Sequence, residues 1–213
     1  MPSRCNDPLP TWPEVQRLED ASGEDTLWLG DLRQPVRAVA LVTHGLNLRP
    51  SAMNAVTNLL ARHGTLVLRL TLPQASEGSE HSPEALRERW LTAMLQGLCV
   101  AGQRAERLSV PLNVVAYSLG GLVFVDLLAE QPALASRIAR VVLLAPALTP
   151  RWYVRLTPAL ALVVGHNHWV SSWAPRAYRA ADGTSLAAYE AVAIASSALR
   201  QRPGVALSLP TLV

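Results

Sequence analysis

The chain contains no lysine. All 19 basic residues are arginine, set against 16 acidic residues for a formal net charge of +3. The arginines are dispersed and form no basic stripe interleaved with aromatics, so nothing here supports nucleic-acid binding. Cysteine is scarce: Cys5 and Cys99 are one possible pair, the first in an N-terminus expected to fray and the second on the apolar side of a predicted helix, which argues against a disulfide scaffold. A membrane span would need about 20 consecutive apolar residues, and the apolar run Leu156 to Val164 is roughly half of that. The segment Met1 to Pro13 is proline-rich and lacks an apolar signal core, which leaves the cytoplasm as the expected location. No repeat is visible, and no low-complexity stretch is longer than the Ser/Glu/Gly loop from Gln74 to Ser82. What remains is a chain of 213 residues, half of them hydrophobic, enough for one buried core.

Apolar runs alternate with helical patterns along that chain. Val36 to Thr43, Thr65 to Thr71, Leu112 to Ala116 and Arg140 to Leu144 read as buried strands. Between the second and third of these lies a well-marked helix. Ser82 is its N-cap, Pro83 its first residue, and Leu86, Trp90, Leu91, Met94, Leu95 and Leu98 its apolar stripe. Trp90 and Met94 are therefore expected in the core. Such alternation predicts an α/β architecture, a doubly wound and mostly parallel sheet covered on both faces. Upstream, Glu14 to Leu18 and Thr26 to Gly30 are expected to form a hairpin around Gly23.

The most informative residue is Ser118, in Ala116-Tyr117-Ser118-Leu119-Gly120-Gly121 directly after a strand. Small residues two before and two after a serine permit a strand-to-helix turn sharp enough to lift the hydroxyl above the sheet, and Ala116 adds one methyl to the glycine usual at the first position. The following helix would aim free N–H groups and its positive dipole end at the serine. The plainer alternative is an ordinary N-cap. After the first buried strand comes His44-Gly45-Leu46-Asn47, a glycine turn leading into the helical pattern Met53, Val56, Leu59, Leu60.

Together these motifs resemble the α/β-hydrolase family, and within it lipases, carboxylesterases and lysophospholipase-like enzymes, from about Val36 to Val213. The resemblance implies that Ser118 is the nucleophile and that the Leu46 and Leu119 N–H groups form the oxyanion hole. His44 and Gly45 shape the oxyanion loop, with His44 a bracing residue, while Ala116 and Gly120 permit the sharp turn at Ser118. It also implies a division into a core over 1–146, an inserted helical cap over 147–203 and the start of the next core strand over 204–213. The cap would carry Trp152, Tyr153, Trp169 and Trp173, with Trp and Leu on an inner face suited to a lipophilic substrate. The expected partner is a small ester or other acyl compound; no cofactor and no metal is implied, and oligomeric state is not written in the sequence.

A serine hydroxyl needs a histidine and an orienting carboxylate, which in this family follow the serine in the order acid, then histidine. After Ser118 stand only Asp126, Glu130, Asp182, Glu190, His166 and His168. Asp126 and Glu130 fall about 12 Å or more along the helix leaving Ser118. Asp182 reads as turn chemistry and Glu190 as a charge on a helix face. His166-x-His168 lacks the further ligands a zinc site needs. The last strands and helices of the fold, carrying the acid and base, are therefore expected in about 50–80 residues beyond Val213. Two alternatives stand beside this: a non-catalytic protein of the same fold binding a lipophilic ligand, and a site that uses His166 or His168 as base.

Overall fold

Alternate residues of the central strands point to opposite faces, and each face carries its own core. The computed structural model describes residues 5, 9–15, 24–30, 34–74, 82–150, 154, 156–172, 174–202 and 209–213. In β3 (Ala38–Thr43), Val39 and Leu41 join a large cluster while Ala40 and Val42 join a smaller one on the other side. The same division separates Leu66, Leu68 and Leu70 from Val67 in β4 (Thr65–Leu70), and Val114 and Ala116 from Val115 in β5 (Leu112–Tyr117). A period-two pattern in which both phases are apolar is what a sheet buried on both faces requires.

The sheet has seven strands in the order β1-β2-β4-β3-β5-β6-β9, where β1 is Glu14–Val15, β2 Leu27–Leu29, β6 Arg140–Leu144 and β9 Thr211–Leu212. From β4 to β9 the strands are parallel, and β2 is antiparallel to β4. The expected N-terminal hairpin is not formed: β1 runs parallel to β2, with Glu14 opposite Trp28 and Val15 opposite Leu29. A tight turn would have forced antiparallel pairing, but the connection is long enough to carry the chain back to the other end. Gly23, its expected pivot, lies outside the described residues.

Helix α1 (Asn54–Arg62) packs on β4 and β2, with Val56 and Leu60 turned to the smaller core and Leu59 exposed. On the opposite face lie α2 (Pro83–Leu108), α3 (Leu119–Glu130) and α5 (Leu186–Arg200), packed on one another. Helix α2 begins as its sequence predicts: Ser82 Oγ accepts from the Ala85 N–H at 3.2 Å and Pro83 opens the first turn. Trp90 and Met94 are buried in the core, and Trp90 Nε1 donates to the Pro73 carbonyl at 2.7 Å. Arg87 on α2 bonds both oxygens of Asp126 at 2.8 Å and Glu130 at 2.5 Å, fastening α2 to α3. Burial alone would lower the Arg87 guanidinium, but its hydrogen bonds to the two carboxylates outweigh that and raise it. Burial pushes the Asp126 carboxyl up against the pull of Arg87.

Three further findings depart from expectation. Cys5 and Cys99 are joined in a disulfide that closes a sequence separation of 94 residues. Cys5, Leu9 and Trp12 pack on the main core, and this brings Cys5 to Cys99 on α2. Helix α5 is also part of the core layer: Ala187, Ala188, Ala191, Val192 and Ala195 all enter the main cluster. The rest of segment 147–203 holds α4 (Thr157–Val164) and the antiparallel pair β7 (Trp169–Ser171) and β8 (Gly183–Ser185). Helix α4 turns its apolar side chains outward, with Leu162 86% and Val163 83% exposed. Trp152, Tyr153 and Trp173 lie outside the described residues. Among the described residues no helix is long and apolar enough to cross a membrane.

Candidate functional site

Strand order determines where a site can form. The chain leaves β3 toward β4 on one side and reaches β5 on the other, so the carboxyl ends of β3 and β5 border the crevice at which the winding reverses. These strands pair in register, with Thr43 opposite Ala116. Two residues beyond that rung stand Gly45 on one strand and Ser118 on the other. A Cβ on Gly45 would come within 3.1 Å of Ser118 Cβ and 3.0 Å of the Tyr117 ring. The two sequence motifs thus meet at one point.

Ser118 adopts φ 50 and ψ −110, and its side chain makes no capping hydrogen bond to α3. This is not the geometry of an N-cap, which has extended dihedrals and a bonded oxygen. A non-glycine residue at positive φ is strained, and its surroundings must hold it there. They do so closely. The Ser118 N–H donates to the Leu144 carbonyl at 2.9 Å, and its own carbonyl accepts from Ala147 at 3.0 Å and Leu122 at 3.2 Å. Gly120 donates to the His44 carbonyl at 3.2 Å, and a Cβ there would lie 1.8 Å from Thr43 Oγ1. At Gly121 a Cβ would meet Pro146 at 2.8 Å. Of the positive-φ residues other than glycine, Asn47, Ser118 and Ala145 all lie just past the carboxyl ends of β3, β5 and β6, so strain is concentrated at this edge.

The loop after β3 is braced from beneath by His44, which is 1% exposed. Its Nε2 accepts from the Leu72 N–H at 2.9 Å, which places the proton on Nδ1, and Nδ1 donates to the Gly45 carbonyl at 2.8 Å. Burial, aided by the nearby Arg69 charge and opposed by the Gly45 bond, pushes this imidazole down to about 4. His44 is thus neutral and fully engaged at neutral pH. Leu46 and Leu119 flank the serine from the two motifs, and neither N–H donates to a hydrogen-bond acceptor among the described residues. For Leu119, 2% exposed at the first position of α3, an unpaired N–H is costly unless a ligand or water takes it.

The carboxylates after Ser118 are all committed elsewhere. Asp126 and Glu130 hold Arg87, and Asp182 holds Arg179. Glu190, read from the sequence as a charge on a helix face, is 5% exposed and bonded to His166 Nδ1 at 2.9 Å. It is drawn inward because the loop over 165–168 folds onto the start of α5, where the His168 and His166 carbonyls accept from the Leu186 and Ala187 N–H groups at 2.9 Å each. The helical period alone does not reveal a partner arriving from outside the helix. Among the described residues no group of three or more His, Cys, Asp or Glu could hold a metal ion.

The segment over 178–182 docks on the loop that follows Leu46. Asn47 exchanges two hydrogen bonds with the backbone of Ala181, at 2.8 and 3.0 Å, and its carbonyl accepts from Ala180 at 3.1 Å. Sequence reasoning missed this clamp, because its two sides are about 130 residues apart.

No family model matches the chain, and no curated protein does. Solved structures do. One of the metagenome-derived lipolytic enzymes LipS and LipT superposes with a TM-score of 0.63 at 18% identity, over 89% of this chain and 74% of that one. The monoacylglycerol lipase of Paleococcus ferrophilus gives 0.57 at 17% identity, over 87% and 74%. A soluble variant of the Saccharomyces cerevisiae monoglyceride lipase gives 0.58 at 12% identity, over 95% and 73%. At identities this low the likeness is one of fold, and the fold is that of the α/β-hydrolases.

Proposed function

We propose that this chain is a serine hydrolase cleaving a carboxylic ester or thioester through an acyl-enzyme on Ser118. The observation that carries this reading is the Ser118 backbone, held at φ 50 beside the Gly45 loop with its hydroxyl unspent on the helix. Ser118 Oγ attacks the acyl carbon, its proton passes through a histidine to the leaving oxygen or sulfur, and water then releases the acid. The Leu46 and Leu119 N–H groups hold the oxyanion, each worth about 2.7–4 kcal/mol by the cost of deleting one such donor. The acid and histidine come from sequence beyond Val213, a reading supported by the engagement of Asp126, Glu130, Asp182 and Glu190 with other partners. The segment over 147–185 acts as the cap, and a lipophilic acyl chain is its expected cargo. The solved lipases of this fold agree with that substrate class. The test is labelling of the full-length protein by a fluorophosphonate: the label should map to Ser118 and vanish in Ser118→Ala, and persistent labelling of the variant would remove Ser118 from the mechanism.

A second reading is favoured by the His166–Glu190 pair, an imidazole oriented by a buried carboxylate on the helix packed beside α3. In it His166 supplies the base from within the 213 residues. Turnover by this chain alone, lost in His166→Ala, would select it. The Cys5–Cys99 disulfide favours an oxidising compartment over the cytoplasm. Thiol counting on protein taken from its host decides that point, since two free thiols would return the chain to the cytoplasm.

A further inference from the structure

The clamp between the oxyanion loop and segment 178–182 also builds a pocket. It is an open cavity of about 350 Å³ lined by Arg49, Arg176, Arg179, Ala180, Ala181 and Asp182. Three arginines and one aspartate line it, and Arg179 pairs with Asp182. Arg179 is fixed: its Nη1 donates to the Ser172 carbonyl at 3.1 Å, its Nη2 pairs with Asp182, and its own carbonyl accepts from Arg49 Nε at 2.8 Å. The Arg49 N–H donates to the Tyr178 carbonyl at 2.8 Å, so backbone and side chain of Arg49 are both tied to the cap segment. That leaves the terminal amino groups of Arg49, and all of Arg176, without an anionic partner among the described residues.

Arg179 and Asp182 neutralise each other, which leaves the two like charges of Arg49 and Arg176 on one concave surface, and planar guanidinium forks match the oxygens of a phosphate or a carboxylate. Position gives the pocket its meaning. Arg49 is three residues from Leu46, so their Cα atoms are at most about 11 Å apart, and the pocket and the oxyanion loop belong to one stretch of surface. We infer that this pocket is an anion subsite that takes a phosphate or carboxylate group borne by the ester substrate. Its role in substrate choice rests on the serine-hydrolase reading; its capacity to bind anions does not.

The experiment has two arms on the full-length protein. In the first, inorganic phosphate and acetate are titrated separately by calorimetry into the wild type, Arg176→Gln, and the double variant Arg49→Gln/Arg176→Gln. Arg176→Gln disturbs none of the hydrogen bonds described above, so a folded variant is expected. Saturable binding that weakens about tenfold in Arg176→Gln, and further in the double variant, supports the subsite. No binding, or binding unchanged in both variants, overturns it. The second arm compares hydrolysis of a neutral ester with that of matched esters carrying a phosphate or a carboxylate on the leaving group. The wild type should prefer one of the charged esters through a lower KM, the preferred one naming the source, and the preference should fall about tenfold in Arg176→Gln. Equal turnover of all three esters overturns the subsite while leaving the hydrolase reading intact. Anion binding that depends on the arginines, with no ester cleaved, would sink the hydrolase reading and leave an anion site.

Discussion

Among the described residues three helices begin with a serine, and they use it in two different ways. Ser82 before α2 and Ser185 before α5 sit at φ −66, ψ 152 and φ −68, ψ 152, each accepting a hydrogen bond from an N–H three residues on. Ser118 before α3 sits at φ 50, ψ −110 and accepts none. The first two convert a hydroxyl into helix stability. The third withholds the hydroxyl from the helix and adds backbone strain of order 1–3 kcal/mol, which the Leu144, His44 and Pro146 contacts must offset. A serine before a helix therefore carries no function by identity alone; what separates the cases is whether the fold spends the hydroxyl or keeps it free.

The largest expected effect breaks this comparison at Ser118. Ser118→Ala should lower ester turnover about 10⁴-fold or more while moving the melting temperature little, because no hydrogen bond from Oγ to the helix is lost. A variant that unfolds with activity lost in proportion would mean that Ser118 is a structural residue. Next in size is Gly120→Ala. Its new methyl would stand 1.8 Å from Thr43 Oγ1 and 2.9 Å from the His44 carbonyl, and the second of these is backbone. The start of α3 must shift, at a cost of about 2–4 kcal/mol and with loss of fluorophosphonate labelling. Gly102→Ala is the control. In the middle of α2 its methyl meets nothing nearer than 3.8 Å, so denaturant melts should show a gain of about 0.5–1 kcal/mol.

What the sequence disclosed and what it hid divide along chain separation. The strands, the doubly wound order and the start of α2 at Ser82 depend on periodicity and caps a few residues apart, and the structure has each of them. The spacing around Ser118 implied a sharp turn, and the backbone dihedrals there are those of a strained one. The parallel pairing of β1 with β2, the Cys5–Cys99 bond, the burial of Glu190 by His166 and the clamp of Asn47 on Ala181 all join segments whose meeting no local pattern specifies. Helix α5 shows the limit well. Its alanines give a weak apolar stripe, and only the helices packed against it reveal that it belongs to the core layer.

The brace beneath the loop that follows β3 sharpens the comparison through pH. His44 has an ordinary value of 6.5 in the unfolded chain and is pushed down to about 4 in the fold. Above 6.5 it is neutral in both states and contributes no pH dependence. Between 6.5 and 4 the unfolded chain binds a proton that the folded chain refuses, so stability falls as pH falls through this window and levels off below it. The full loss is about 3 kcal/mol. Urea melts from pH 7.5 to 4 should show this slope, and His44→Gln should flatten it. A slope unchanged in that variant would assign it to other groups.

The smallest effects lie at the two spent serines. Ser82→Ala should cost about 1 kcal/mol, the usual worth of an N-cap, and leave turnover untouched because α2 begins well away from Ser118 in sequence and the bond lost is the one from Ala85 N–H. Ser185→Ala should cost somewhat more, since Ser185 is buried and the start of α5 also receives the carbonyls of His166 and His168. Its consequence should differ in kind as well. Loosening that start frees the 165–168 loop and, through the β7–β8 pair, the segment clamped on Asn47, so KM should rise about twofold to fivefold while kcat is kept, a change of 0.4–1 kcal/mol at about 0.6 kcal/mol per e-fold. Equal kinetics in the two variants would mean that segment 178–182 is held by Asn47 and the Arg49–Arg179 contact without help from the start of α5.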